Sequence, residues 1–479
     1  MTLTQYNERS VSDRRILFEI DQTQINTQWI NAGAGVWYVN FDNLYPEVET
    51  ELIPAWFVVQ TVVNVGSVQV LGIPLTKAST LLQCSENEAT FFYDVANKEL
   101  YIHLLDSVDP ILSQVINIGV VFGYSFDSFN PAGIDLHYEG RLLSIPQINK
   151  SRDPMYWGKI QFEGGSVSLN NADGFFDQFG EDNNVYGNAT RVKFGYRDLP
   201  ISEYATVFIG YAEKVEISPT QLQLSFKDKR KQLSKVVTYS CTNKNALTAI
   251  EELLLDNYAV AYNTVYYDIT QWEIAKALAY TVTLNYTKET EVIKIIEDIC
   301  ASIFGLFIVE VDGRYSFKIT SPSDLSGTLV IPNDDIINDF SLSYDPSQII
   351  SSTKIGYSKD WTTTGSAYTY LVDTSQEASV FSSYKTYSQK TFDTSLPDLT
   401  QAQDFSGRIL EYASVVRAQT KIEVPIKYWT LDIGDFVDIQ LNRSATDWMG
   451  WRKCEILSKD FELDKGTIVF GIKKYGAEL

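Results

Sequence analysis

Apolar and polar residues alternate along residues 207–233, VFIGYAEKVEISPTQLQLSFKDKRKQL. Val207, Ile209 and Tyr211 share one parity, followed by Val215 and Ile217, then by Leu222, Leu224 and Phe226. A period of two predicts half-buried strands. Ser218-Pro219-Thr220 interrupts the alternation once and predicts a hairpin turn. The second strand runs out into a charged step, Lys227-Asp228-Lys229-Arg230-Lys231.

Strand-like runs recur through most of the chain. In residues 1–130 they are short (Val36-Trp37-Tyr38-Val39, Trp56-Phe57-Val58-Val59, Leu100-Tyr101-Ile102) and lie between turn residues such as Gly72-Ile73-Pro74. The polar stretch 126–140, with Asn130-Pro131 and Ala132-Gly133, predicts a boundary. Beyond it come Lys159-Ile160-Gln161-Phe162, Ser166-Val167-Ser168-Leu169 and Arg191-Val192-Lys193-Phe194. The period changes between 241 and 325. Ala246, Leu247, Ile250, Leu253 and Leu254 fall at helical spacing, with Asn243 or Asn245 as cap. Val292, Ile295, Ile296, Ile299 and Ile303 make a second stripe, with Thr287 or Thr290 to open it and Gly305 to close it. Asp312-Gly313, between two strand-like runs, predicts a two-residue hairpin. From 326 strands return. A helix is expected near 400–416, on Phe405, Ile409, Leu410, Ala413 and Val416. The Ser-, Thr- and Tyr-rich stretch 358–400 reads as an extended loop. No short repeat is visible, which argues against solenoids and propellers.

Composition narrows the class. A chain of 479 residues holds about three or four domains. Aromatics at 13 % and charged residues at 21 % fit a packed, strand-rich protein and not a disordered one. The net charge of −22 argues against holding DNA, which needs a basic face to replace counterions. Cys84, Cys241, Cys300 and Cys454 are far apart with no CxxC pair, so buried free thiols are expected, as in a reducing cytoplasm. The start MTLTQYNERSVSDRR lacks the apolar core of a signal peptide. No apolar run approaches the ~20 residues that span a bilayer, so membrane anchoring by this chain is not expected.

Catalytic motifs fail one by one. His103 and His137 are the histidines, and neither sits in HExxH. Gly123-Tyr124-Ser125-Phe126-Asp127 lacks the second glycine of a nucleophile elbow. Gly33-Ala34-Gly35 has Tyr38 where a dinucleotide motif needs glycine, and no phosphate-binding GxxxxGK[ST] exists. In the acidic loop 170–184, aligning Gly174 with the EF-hand glycine puts Leu169 and Gly180 at ligand positions, which excludes that site. An irregular calcium site from Asp173, Asp177 and Asp182 stays open beside the reading that these residues make turns. Asp334-Asp335 reads as a solvated turn after Pro332-Asn333. The aromatics Trp29, Trp37, Tyr38, Trp56 and Phe57 suit core packing before a sugar platform. No catalytic, cofactor-binding or metal residue is therefore expected, and no cofactor.

Four segments, in order, resemble the tail-hub proteins of bacteriophages. They are the strand and turn at 167–177, with Asn170, Asp173-Gly174 and Phe176-Asp177; the hairpin and charged step at 207–233; the helix and Asp312-Gly313-Arg314 hairpin at 289–319; and Trp429-Thr430-Leu431-Asp432-Ile433-Gly434-Asp435-Phe436-Val437. The resemblance covers about 160–475. It implies a mainly β, multi-domain chain with two tube-like β-barrel domains. The expected domains are an N-terminal β domain (1–130), a first barrel (131–240), an α/β insert of two helices and a hairpin (241–325), and a second barrel (326–479) with a loop and helix excursion over 358–418. The implied role is a structural, non-enzymatic virion protein. It forms a homotrimeric baseplate hub at the phage tail tip, assembled in the host cytoplasm, that adapts a six-fold tube to a three-fold tip. Implied partners are the tail tube or distal tail protein, the tape measure protein and a central spike or fibre on a separate polypeptide. DNA passes through without specific binding. The basic residues 227–231 are expected at a subunit or tube junction, facing acidic partners. A tail-associated wall or polysaccharide hydrolase and a receptor-binding tail protein are the alternatives.

Overall fold

The computed structural model describes residues 14–25, 30–33, 36–40, 65–70, 73–74, 76–77, 90–94, 99–103, 116–129, 138–152, 158–159, 161, 163–177, 186–197, 199–319, 329–337, 341–362, 367–440 and 451–475. The chain is mainly β, and it divides into two units: Met1–Pro146 with Gly165–Phe226, and Gln147–Gly164 with Lys227–Leu479. Neither unit is one continuous stretch of sequence.

In the first unit, the hairpin at the head of the sequence pattern pairs Ala205–Ile217 with Gln221–Lys227. Its turn is held by Ser218 N–H on the Gln221 carbonyl, 2.9 Å, with Pro219 supplying a preset φ. Leu222, Leu224 and Phe226 are buried, as alternation predicts. The first strand departs from prediction. Its pairing with Ala189–Tyr196 slips by one residue, so that Val192 faces Phe208 and Lys193 faces Thr206. Val207 is the bulged residue. A bulge moves every later side chain to the other face. Phe208, Gly210 and Ala212 are therefore buried, while Ile209 and Tyr211 are half-buried.

The sheet continues from Ala189–Tyr196 through Arg14–Ile25 to Ile116–Ser125. At its other end Gly164–Asn170 flanks Gln221–Lys227. The short segment after Tyr138 joins the two ends. Tyr138–Gly140 runs parallel to residues 123–125, and Leu143 N–H donates to the Ser168 carbonyl, 2.8 Å, beside the Leu142–Leu169 bridge. The result is a barrel-like sheet whose ends are bridged at residues 138–143, and Ile116–Ser125 also pairs with Val65–Val70. Phe226 stands between Phe18 (5.8 Å) and Phe208 (5.0 Å) in its core. The barrel draws strands from both sides of residue 130. A separate five-stranded sheet holds Val36–Asn40 and Glu99–His103, with His103 opposite Val36 and Thr90. Trp37 and Tyr38 lie on that sheet, whereas Trp29, Trp56, Phe57, Cys84, His137 and Asp182 lie outside the described residues.

The second unit combines a sheet with a helical layer. Ser343–Tyr344, Ala418–Pro425, Thr467–Lys474 and Trp451–Glu462 are consecutive strands. Phe436–Gln440 pairs with the first half of Trp451–Glu462 and Gln147–Ser151 with the second. Three helices occupy 241–325, one more than the spacing predicts. The helix α1 (Ala246–Tyr258) is capped by Asn245, whose side chain accepts from Leu247 N–H at 3.0 Å. The unpredicted α2 (Ile269–Leu278) buries only Trp272 and Ala275, a stripe too narrow to stand out. The α3 helix (Val292–Ile303) buries the whole isoleucine stripe, but its ends differ from expectation. Thr287 and Thr290 belong to the preceding strand Thr281–Glu291, and Glu291 takes the cap position without a side-chain bond. Phe304, at φ +59°, is the left-handed closing residue. Gly305 opens the next strand, where an added Cβ would sit 2.4 Å from the Phe317 ring. That glycine is there for packing.

The stretch 358–400 is not an extended loop. Ser352–Asp360 is the middle of three strands, flanked by Ala367–Asp373 and Gln389–Asp393, and α4 (Glu377–Tyr384) joins the outer two. Its Tyr and Thr content suits a pleated surface. The following helix α5 (Leu399–Ala413) starts at Asp398, whose carboxylate accepts from Gln401 N–H at 2.9 Å, and packs on Ser352–Asp360. Cys241, Cys300 and Cys454 are buried free thiols. No helix among the described residues is long and apolar enough to cross a membrane.

Candidate functional site: a sealed ionic network

Three of the four segments that carry the family resemblance meet in the second unit, around buried charge. The charged step after Phe226 forms a single 3₁₀ turn, Lys229–Gln232. Asp228 caps it, accepting from Arg230 N–H at 2.8 Å. Capping fixes the turn, and the turn aims Arg230 inward. The guanidinium donates to Asp228 through Nε and Nη2, both 2.9 Å, to Glu163 through Nη2, 3.1 Å, and to the Phe307 carbonyl through Nη1, 2.6 Å. Phe307 lies in Gly305–Val309, the first strand of the hairpin after α3.

Lys150, on the strand Gln147–Ser151, extends the network. Its ammonium lies 2.7 Å from both Glu163 and Asp432 and donates to the Val309 carbonyl at 3.0 Å. Asp432 belongs to the Leu431–Val437 segment. That segment turns at Gly434, φ +79°, and Asp435 receives Lys318 from the second hairpin strand at 2.6 Å. Lys459 donates to the Trp429 carbonyl at 2.6 Å. Lys150, Glu163, Asp228, Arg230, Asp432 and Lys459 are all 0–2 % exposed.

Burial and pairing set the charges. Burial would raise the Asp432 carboxyl, but Lys150, Lys459 and Lys318 outweigh it and hold the group well below the usual range. Burial also opposes the charge on Lys150, yet Asp432 and Glu163 lift its pKa above the ordinary value. Burial prevails at Glu163, which rises to about 7 against the pull of Lys150 and Arg230. It prevails again at Lys459, lowered to about 8. Lys229 lies 3.5 Å over the Tyr315 ring and falls to about 7, through loss of solvent. Within the basic step Arg230 is therefore turned inward, whereas Lys231 is exposed. Arg230 is spent inside its own unit.

A second buried group stands beside it. Arg152 pairs with Glu455 at 2.8 Å, and Tyr412 accepts from Arg152 at 2.9 Å and donates to Glu455 at 2.8 Å. An open cleft of about 470 Å³ runs past Arg152, Ser343, Gln419, Lys421, Ser458 and Gly471, and its described lining includes no carboxylate.

The residues tested for chemistry are dispersed. Asp173 is held by Arg141 through two bonds of 2.9 and 2.7 Å, and Asp177 accepts from Asn171 at 2.8 Å. Both carboxylates are thus engaged in organising the 170–177 turn, and no metal-holding group of three occurs among the described residues. Ser125 Oγ donates to the Asp127 carbonyl. Asp335 is no free turn residue: it pairs with Lys427 at 2.7 Å and accepts from Tyr428 at 2.6 Å. In the sequence the ionic network is hidden among charges of a kind that normally lie in solvent. The available signal was position: Lys318 sits between Phe317 and Ile319, and Asp432 between Leu431 and Ile433.

No protein-family model matches the sequence, and no curated protein matches it. Solved structures that this chain resembles include the tail protein from Neisseria meningitidis MC58, at 12 % identity and a TM-score of 0.44, over 70 % of this chain and 94 % of that one. The 43 kDa tail protein of prophage MuSo2 from Shewanella oneidensis matches at 12 % identity and 0.42, over 72 % and 97 %. Prophage tail protein gp18 from Listeria monocytogenes EGD-e matches at 9 % and 0.40, over 68 % and 87 %.

Proposed function

We propose that this chain is a structural protein of a phage tail: the homotrimeric hub at the tail tip, joining a six-fold tube to a three-fold end around a channel for the genome. One observation carries the reading. The charged end of the hub-like segment 207–233 and the hub-like segments 289–319 and 429–437 converge on one ionic network in one unit. The barrel-like sheet of the first unit supports it further. Tube or distal tail protein, tape measure protein and a spike or fibre are the proposed neighbours.

The reading is non-enzymatic. Perturbed carboxylates suggest catalysis when they line a cleft. Here Glu163 and Asp432 are sealed from any substrate, and the described lining of the open cleft supplies no acid–base pair. Cryo-electron microscopy of the particle, with a tag on this chain, is the test. Three copies at the tail tip are expected. Six copies, one copy, or a position elsewhere in the particle overturns the reading.

A further inference from the structure

The open cleft beside Arg152 lies on one face of the second unit's sheet, and strand register sets its floor. Lys421 stands opposite Gly471, and Gly471 opposite Ser458. Residues directly opposite in an antiparallel pair share a face. Gly471 therefore leaves a gap in the middle of a row of side chains. A Cβ added there would sit 2.4 Å from Ser458 Oγ. In the next row Ser343 stands opposite Gln419, two residues before Lys421 and so on the same face. Arg152 joins this face where the pairing slips by one residue, its N–H donating to the Leu457 carbonyl at 3.0 Å.

The groups around the gap are donors. Among the described residues, the hydroxyls of Ser341, Ser343 and Ser458 and the ammonium of Lys421 have no hydrogen-bond or ion-pair partner. Asp460, raised by burial, is drawn back by the charge of Lys421 with no ion pair between them. Arg152 is committed to Glu455 and Tyr412, so the cleft offers one uncommitted positive charge beside neutral donors. Two cations in the lining repel a cation, and hydroxyls beside an ammonium are the partners of an oxyanion. A single uncommitted charge matches a carboxylate, where a phosphate dianion needs more. Lys421 and Ser458 flank the gap two strand spacings apart, about 10 Å at their backbones, and the flexible lysine stem can close that span over a two-oxygen group. The geometry points to this cleft as a binding site for a carboxylate, held by the Lys421 ammonium and the Ser343 and Ser458 hydroxyls over the floor at Gly471. The site stands independently of the hub reading.

The test is a ligand-observed NMR titration of the full chain, at constant ionic strength, with N-acetylglutamate α-amide, its glutamine counterpart and propionate. Saturable binding of the glutamate probe is expected at about 1 mM or tighter, with the glutamine probe weaker by about tenfold or more. Lys421→Gln should weaken binding by about tenfold or more. Gly471→Ala, which crowds Ser458 Oγ, should weaken it several-fold. Lys294→Gln on α3, an exposed lysine paired with Glu291, should leave it unchanged. If Lys421→Gln melts differently from the wild type, Ser458→Ala replaces it, with a several-fold loss expected. Absence of saturable binding, equal binding of the glutamate and glutamine probes, or a folded cleft variant that binds as the wild type does overturns the proposal. Preference for the glutamate probe over propionate supports it with an acidic side chain of a neighbouring polypeptide as the occupant. Equal affinity for the two supports it with a free organic acid.

Discussion

Arg230 has four partners in the protein and is almost wholly buried, so its removal strands Asp228 without its cation and leaves Glu163 with Lys150 alone. Arg230→Ala should cost about 3–5 kcal/mol, read by denaturant unfolding of the second unit. Glu163 gives a pH signature. Its pKa is about 7 in the folded chain against an ordinary 4.5, so the folded state holds the proton more tightly than the unfolded state. Ionising it costs stability, fully so above pH 7, and the cost vanishes as pH falls toward 4.5. Wild type should therefore gain roughly 3 kcal/mol relative to Glu163→Gln between pH 8 and pH 4.5. Parallel stability–pH curves for the two proteins would show that Glu163 titrates normally. Glycine at 158 is more constrained still. At φ +90° its added Cβ would lie 2.2 Å from the Ala301 amide nitrogen. Gly158→Ala should lose about 3 kcal/mol or more, since backbone cannot step aside.

Among elements, the isoleucine stripe of α3 and the apolar alternation of Gln221–Lys227 were legible because one period governs each from end to end. The bulge at Val207 was not. A bulge changes parity without changing composition, so Ile209 and Tyr211 read as core when Phe208 and Ala212 are. The network was illegible for a related reason: Lys150 and Asp432 lie 282 residues apart, and no local pattern pairs them. The Asp312-Gly313 hairpin is present, with a loop one residue longer than the sequence predicts. Glu310 N–H bonds the Arg314 carbonyl, and Gly313 N–H bonds the Glu310 carbonyl, both 2.9 Å. The loop is thus three residues, 311–313, with Gly313 left-handed at φ +84°. The expectation for the glycine survives: Gly313→Val should lower stability by roughly 1–3 kcal/mol. An unchanged melting curve for the full chain would contradict it.

For the whole molecule, 61 acidic against 39 basic residues leave little to hold a polyanion, and the one basic cluster that seemed available places Arg230 inside. The purified chain should show no DNA binding in a gel-shift titration at physiological salt. Retention that disappears on Lys229→Ala or Lys231→Ala would overturn this.

The chain passes between the two units at 146/147, 164/165 and 226/227. Lys150 and Glu163 are therefore made early, yet they belong to a unit whose Asp432 and Lys459 are made late. At ribosomal rates of about 5–20 residues per second, Lys150 waits roughly 15–55 s for Asp432. Until then Lys150 and Glu163 are without their late partner. The ionic network of the second unit cannot close until residues 432 and 459 have both been made.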